Sequence, residues 1–397
     1  MDKQEWKEKK VNLGSAIVLS VALAVLGVFV GSNWNSWFSG FAPYLGLKSS
    51  AKSNIDWSSL DEVYNKLVAS YNGEISTKDV VEGAKKGLVE ALGDNYTVYM
   101  GATEAADYYD SLHGNVGSGI GVEMGLRDGY VRVLRTLPDN PAREAGILAG
   151  DILYKVDDEE VYALSVDEIA KKVRGETGSD VIVTIVRDGE EKSFKMKRAV
   201  INNISAYVEY DDKTAIITVT RFDSDTGITI QKFAKEFAAK GVNKVILDLR
   251  SNGGGYVSAA QDLLSLWLDG EKSLIQKSKF SGSSTSSTSP NKAILKDIKT
   301  IVLVNGSTAS ASEIVAGALQ DYNRATIVGE KTYGKGVVQN LFELSGGTLL
   351  KVTTAEWYTP NERSINKIGI TPDIEVKRTF EDINAMRDPQ MDKAKEL

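Results

Sequence analysis

Residues 305–340 read NGSTASASEIVAGALQDYNRATIVGEKTYGKGVVQN. The run that leads into them, TIVLVN at 300–305, is apolar and β-branched and predicts a buried strand. A cluster of small residues and serines follows, then an apolar helix through Ala316 and Leu319. ATIVGE at 325–330 predicts a short second strand, and Lys335 comes next, bracketed by Gly334 and Gly336. Strand, helix and strand in this order indicate an α/β core. The helix begins near Ser310, so that hydroxyl lies at a positive helix end. The N–H of Ala311 has no partner within the helix there and suits a developing oxyanion. Ser307 and Ser312 are also eligible nucleophiles, and Ser307 is equally a helix cap.

The chain of 397 residues has a single histidine and no cysteine. A Ser-His-Asp triad could use only His113, which reads as an exposed loop residue, and a cysteine nucleophile is impossible. A serine with a lysine base is the economical alternative. Such a lysine must be neutral, and burial can lower its pKa from about 10.4 toward neutrality. By period two, Lys335, Val337 and Gln339 share one strand face. Gln339 could accept a hydrogen bond from the amine without adding charge. A carboxylate there would hold the lysine protonated. The formal net charge of −7 argues against nucleic acid as a partner. Cysteine-ligated and His-pair zinc sites are excluded, and neither metal nor cofactor is expected.

Upstream, Leu13–Val30 (LGSAIVLSVALAVLGVFV) carries no charge and is close to the minimum for a membrane-spanning helix. Lys3, Lys7, Lys9 and Lys10 precede it and predict a cytoplasmic N-terminus. A cleaved signal peptide is the alternative, but the small residues Ala22 and Ala24 lie inside the apolar run and not after it. The expected organisation is a cytoplasmic tail and anchor at 1–31, a linker at 32–54, and a helical segment at 55–112. A small β-module follows at 113–198, then the α/β core at 199–376 and a charged tail at 377–397. In the helical segment Leu60, Val63, Tyr64, Leu67 and Tyr71 recur at helical spacing, and LGDNYTVYM at 92–100 reads as a turn. In the β-module, the only expected helix is Val166–Arg174. Asp157-Asp158-Glu159-Glu160 reads as a solvated turn. In the core, SGSSTSSTSP at 281–290 reads as a mobile loop or flap.

A second chemical element is DLRSNGGGY, Asp248–Tyr256. A strand ending in three glycines offers backbone N–H groups close to a substrate, although the same pattern also makes a plain strand-to-helix turn.

Together these motifs resemble the carboxyl-terminal processing, or tail-specific, proteases. The resemblance runs from about Asp56 to Asp373. It rests on Leu92–Met100, Asp248–Gly255 (with Gly253 where the family usually has proline), Thr308–Glu313, Thr354–Pro360 and Gly369–Asp373. It implies a catalytic core of the crotonase/Clp-protease type, with a PDZ module inserted before it and a helical segment preceding both; the transmembrane helix expected from the apolar run at 13–30 comes before these. It further implies Ser310 as nucleophile, Lys335 as base twenty-five positions later and Gln339 four after that. Ala311 and Gly254 would supply the oxyanion N–H groups. In the PDZ module, Gly119, Ile120, Gly121 and Val122 would form the loop that takes a free C-terminal carboxylate. Arg174 would carry the signal of an occupied groove.

The expected partners are therefore protein substrates with accessible C-termini and, through residues 13–30, the cell membrane. The catalytic part would be extracellular on a single-pass anchor, and a homo-oligomer is compatible with this. Two other readings are an inactive PDZ scaffold and a crotonase-like acyl-CoA enzyme. The first would lose Ser310, Lys335 or the glycine loop. The second needs neither the lysine nor a PDZ module.

Overall fold

The computed structural model describes residues 57–397 apart from 115–116, 128, 202, 291 and 386. The expected anchor and linker lie outside the described residues. Among the described residues no helix is long and apolar enough to cross a membrane. The chain divides into two units at Val80/Val81. In chain order the helices are α1 (Ser58–Ser70), α2 (Thr77–Glu90), α3 (Ala102–Leu112), α4 (Pro141–Ala145) and α5 (Val166–Val173). Then come α6 (Thr226–Phe237), α7 (Val257–Leu264), α8 (Ala311–Asp321), α9 (Phe380–Asn384) and α10 (Pro389–Glu396). In α1 no residue is buried, and Leu60, Val63 and Leu67 are exposed on one face.

The β-module holds β2 (Ser118–Gly119), β3 (Val122–Arg127), β4 (Tyr130–Thr136), β5 (Ile152–Val156), β6 (Glu159–Glu160), β7 (Asp180–Arg187), β8 (Glu190–Lys197) and β9 (Ala199–Val200), after β1 (Val98–Met100). Its main sheet runs β3-β4-β5-β7-β8, with β6 on β5, while β2 pairs with β9. Ile120, Val131, Leu153, Ile169 and Val183 fill its core. Besides α5, the module contains the short helix α4, opened by Pro141 and closed at Gly146 with φ 89°.

The core strands are β10 (Ala206–Asp211), β11 (Thr214–Val219), β12 (Lys244–Asp248), β13 (Lys272–Ser278), β14 (Gly282–Ser287), β15 (Lys299–Val304), β16 (Thr326–Gly329), β17 (Val337–Glu343), β18 (Leu349–Tyr358) and β19 (Ile374–Glu375). One sheet has the order β10-β11-β12-β15-β16-β19, parallel from β11 onward. Its strands are apolar on both faces, as a covered parallel sheet requires. Ile217, Leu247 and Val302 pack with residues of α6, α7 and α8, while Ile216, Ile246, Ile301 and Leu303 cluster with Ala394 of α10.

Two expectations fail here. Residues 98–100 form strand β1 on β18 (Val98↔Lys351), not part of a turn. Within the expected flap, Gly282–Ser287 is β14, paired antiparallel to β13 from Ser278↔Gly282 to Lys272↔Ser287. The hairpin's backbone hydrogen bonds outweigh the low β propensity of its serines. The charged tail forms α9 and α10 and is tied to the core. Arg250 bonds Asp248 (2.6 Å) and, with its other nitrogen, Asp388 just ahead of α10 (2.8 Å).

Candidate active site

In a parallel sheet the loops that leave the carboxyl ends of adjacent strands lie side by side. Strands β12 and β15 are such neighbours, with Asp248 opposite Leu303. The loop after β12 carries the glycines and the loop after β15 carries the serines. Asn252, fully buried, ties them together. Its carbonyl accepts Ala309 N–H (3.0 Å) and Ser312 Oγ (3.0 Å), and its Nδ2 donates to Val219 O (2.9 Å). Asn305 Oδ1 accepts Ser251 N–H at 2.9 Å from the opposite side.

The arrangement separates the three serines. Ser312 is fully buried and its hydroxyl donates to Asn252 O, a structural role. Ser307 lies in the turn where its N–H donates to Asn305 Oδ1, away from the helix start. Ser310 is half-buried and immediately precedes α8, and its side chain makes no capping hydrogen bond. Its backbone holds φ 57°, ψ −117°. The next N–H, that of Ala311, donates no hydrogen bond among the described residues.

Gly254 lies against the serine with φ 101°. A Cβ there would stand 2.8 Å from Ser310 Cβ and 2.9 Å from Ala311 N, so only glycine fits. The Gly254 N–H donates to Asn252 Oδ1 at 2.8 Å. Of the two expected oxyanion donors, one is thus open and the other is held by an amide oxygen. Gly253 has open space around it, which fits the proline usual in the resembled family.

Glu313 was not singled out as a site residue, yet it organises the centre. It is completely buried. Its Oε2 accepts the N–H of Ser310 (2.8 Å) and that of Lys335 (2.9 Å). Its Oε1 accepts Thr332 Oγ1 (2.6 Å) and Gly334 N–H (2.7 Å). One carboxylate oxygen therefore grips the backbone of both expected catalytic residues. Its place three residues after Ser310 is visible in the sequence, but its partners lie 19 to 22 residues further on.

Lys335 is half-buried and precedes β17, so it does not share a regular strand face with Gln339. Gly336 O accepts Trp357 N–H (2.9 Å) and Lys335 O accepts Trp357 Nε1 (2.9 Å), which fix this approach. Among the described residues no carboxylate pairs with Lys335 Nζ, which stands 5.4 Å from the centroid of the Tyr96 ring. Burial, followed by the positive charge of Lys351, presses the Lys335 pKa below the ordinary lysine value, against a weaker opposing pull from Glu313. Gln339 Nε2 is buried and has no hydrogen-bond partner among the described residues. Tyr96 arrives from the 92–100 motif, where Asp94 accepts Tyr96 N–H (3.0 Å) and Thr97 Oγ1 (2.6 Å).

In the β-module, Gly119, Ile120, Gly121, Val122 and Arg174 line one pocket of about 240 Å³. Gly121 has φ 78°, and the Ile120 and Gly121 N–H groups donate to nothing among the described residues. Arg174 is the residue that closes α5 and is exposed. His113 closes α3, with Nδ1 2.8 Å from Tyr109 O, well apart in sequence and role from this chemistry.

Comparison with known proteins follows the same division. A model of peptidase family S41 matches residues 213–376, a PDZ-domain model 132–187, and a model described as the activating protease CtpB N-terminal domain 25–104. A Staphylococcus aureus protein described as a probable CtpA-like serine protease is 31% identical over 375 residues, 94% of this chain and 73% of the relative. A Staphylococcus epidermidis protein of the same description is 33% identical over 346 residues, 86% and 70%. Among solved structures, the photosystem II D1 C-terminal processing protease matches with a TM-score of 0.58 at 26% identity, covering 83% of this chain and 90% of that one.

Proposed function

The chain belongs to peptidase family S41, with a PDZ domain, among the carboxyl-terminal processing serine hydrolases, and from that membership we propose that it cleaves proteins near their C-termini with Ser310 as nucleophile and Lys335 as base. The observation that carries this reading is the shared grip of Glu313 Oε2 on the Ser310 and Lys335 backbones. It ties together two loops whose side chains supply an attacking oxygen and an unpaired, partly desolvated amine.

In the reaction, neutral Lys335 takes the Ser310 proton as Oγ attacks the scissile carbonyl. The Ala311 N–H meets the oxyanion. Gly254 joins it by exchanging Asn252 Oδ1 for the substrate oxygen, one acceptor for another. Lys335 then protonates the leaving amine and, as base, activates the water that releases the acyl-enzyme. Gln339 orients the amine through its amide oxygen. The core is of the crotonase type, a reading supported by backbone N–H groups that flank the serine at the strand ends.

Cleavage of an unfolded test protein, mapped by mass spectrometry, tests this. Products should begin near the C-terminus, and a free C-terminus should be cut faster than an amidated one. The rate should rise with pH and level off below the ordinary lysine pKa. The group must lose its proton to act, and its surroundings favour that loss. A rate that falls steadily above neutrality sinks the lysine base.

Leu13–Val30 remains the proposed single-pass anchor, with everything after about Ser32 outside the cell. Protease added to wall-less intact cells should remove the catalytic part and leave a short membrane-bound stub. A catalytic part protected until lysis reverses the topology. One found free in the medium with its N-terminus near Gly31 replaces the anchor with a signal peptide.

A further inference from the structure

The pocket in the PDZ module has a wall that the module does not supply. Ile120, Gly121, Val173 and Arg174 face Thr220 and Arg221, which belong to the core just after β11. The Arg221 side chain is only 17% exposed. Its Nη2 donates to Asp223 Oδ2 at 2.8 Å, but its Nε and Nη1 are buried and have no hydrogen-bond partner among the described residues. Buried donors left open on a charged group are costly, and an anion is the partner that suits them best. Ile120 and Gly121, whose N–H groups are open, line the same pocket.

We propose that Arg221 is the second half of the site for the substrate's terminal carboxylate. The Ile120 and Gly121 N–H groups hold one oxygen, and an open guanidinium donor of Arg221 holds the other. This deepens the reading above and rests on it, since the groove must first accept a free C-terminus. The surrounding charges agree. Glu123, the carboxylate in the pocket wall, is paired with Arg135 at 2.7 Å. Asp223 is paired with Arg221 itself, and Arg174 makes no ion pair among the described residues. The field at the nest is therefore positive.

The placement also gives an occupied groove a direct route to the catalytic centre. The residue after Arg221 is Phe222, which is buried. Its N–H donates to Gly254 O (3.0 Å) and its carbonyl accepts Tyr256 N–H (2.8 Å). Gly254 in turn abuts Ser310. An anion drawn to Arg221 acts on a backbone segment pinned to the glycine loop.

The test uses the full-length chain carrying Ser310→Ala, so that nothing is cleaved. Binding is measured with a fluorescent peptide ending in two alanines, as free acid and as amide. The free acid should bind more tightly than the amide. Arg221→Gln should shrink that preference by about tenfold, the usual weight of one charge-assisted hydrogen bond. An unchanged preference overturns the role of Arg221 while leaving the groove reading intact. No preference in the parent protein overturns the groove reading itself. Hydrogen exchange on the parent protein gives an answer even where Arg221→Gln does not fold. The acid peptide, and not the amide, should protect the amides of 221–223 and 254–256. Protection confined to 119–122 overturns the proposal.

Discussion

Ser310→Ala and Lys335→Ala should each lower kcat for cleavage of an unfolded protein by about four orders of magnitude or more, and the double variant should be no worse than either single one. In the proposed mechanism the oxygen and its base act as one unit, so removing the second partner takes away nothing that still functions. Both proteins should remain folded. Ser310 Oγ makes no capping bond, and Lys335 Nζ makes no ion pair among the described residues, so neither deletion strands a buried partner. Circular dichroism and thermal melting check the fold, and product analysis checks the rate. Near-normal activity in Ser310→Ala together with loss in Ser307→Ala would move the nucleophile to the preceding turn. Additive losses would mean that serine and lysine serve separate steps.

The largest effect on stability is expected at Glu313. Its carboxylate satisfies four donors inside a fully buried site. Glu313→Ala leaves all four without an acceptor, at about 1–3 kcal/mol for each that water cannot reach. The chain should melt at least about 10 °C lower. Glu313→Gln is the more informative change. It keeps the shape, but it turns one acceptor into a donor that faces other donors. Activity should fall about 100-fold through misplacement of Ser310 against Lys335. The remaining activity should carry a signature of its own. Glu313 raises the Lys335 pKa, so removing its charge lets the lysine deprotonate at lower pH. The acidic limb of the pH–rate profile should therefore move to lower pH even as the maximum rate drops. Wild-type melting and wild-type rate in Glu313→Gln would show that the carboxylate grip is dispensable.

The core was legible in the sequence where the signal is local. TIVLVN and KVILDLR carry continuous β-branched apolar runs, and both are buried strands of the parallel sheet. Ser310 could be placed at a helix start because small residues precede an apolar period. What local pattern could not reveal are relations across the chain. Strand β1 spans only three residues, and its partner β18 lies some 250 positions later. The serine-rich β14 is a strand only because β13 offers it a register. Glu313 reads as an ordinary first-turn acid until the loop bearing Lys335 folds back onto it. Arg221 sits in TRFDSD, a stretch with no motif, and only the fold brings it into the lining of the PDZ pocket. The alternation that would link Lys335 to Gln339 does not reach Lys335, because the strand begins only at Val337.

The backbone at Ser310 carries an evolutionary consequence. Its φ of 57° with ψ of −117° is a geometry that glycine enters freely and serine does not. Holding a side chain there costs of order 1–3 kcal/mol, while glycine would give back only about 0.5–1 kcal/mol in chain entropy. The proposed nucleophile is thus the residue the chain would most readily exchange if turnover ceased to matter. Selection for catalysis keeps this position off its stability optimum. Once that selection relaxes, the expected drift is to glycine, which leaves a sturdier and silent descendant of the same fold.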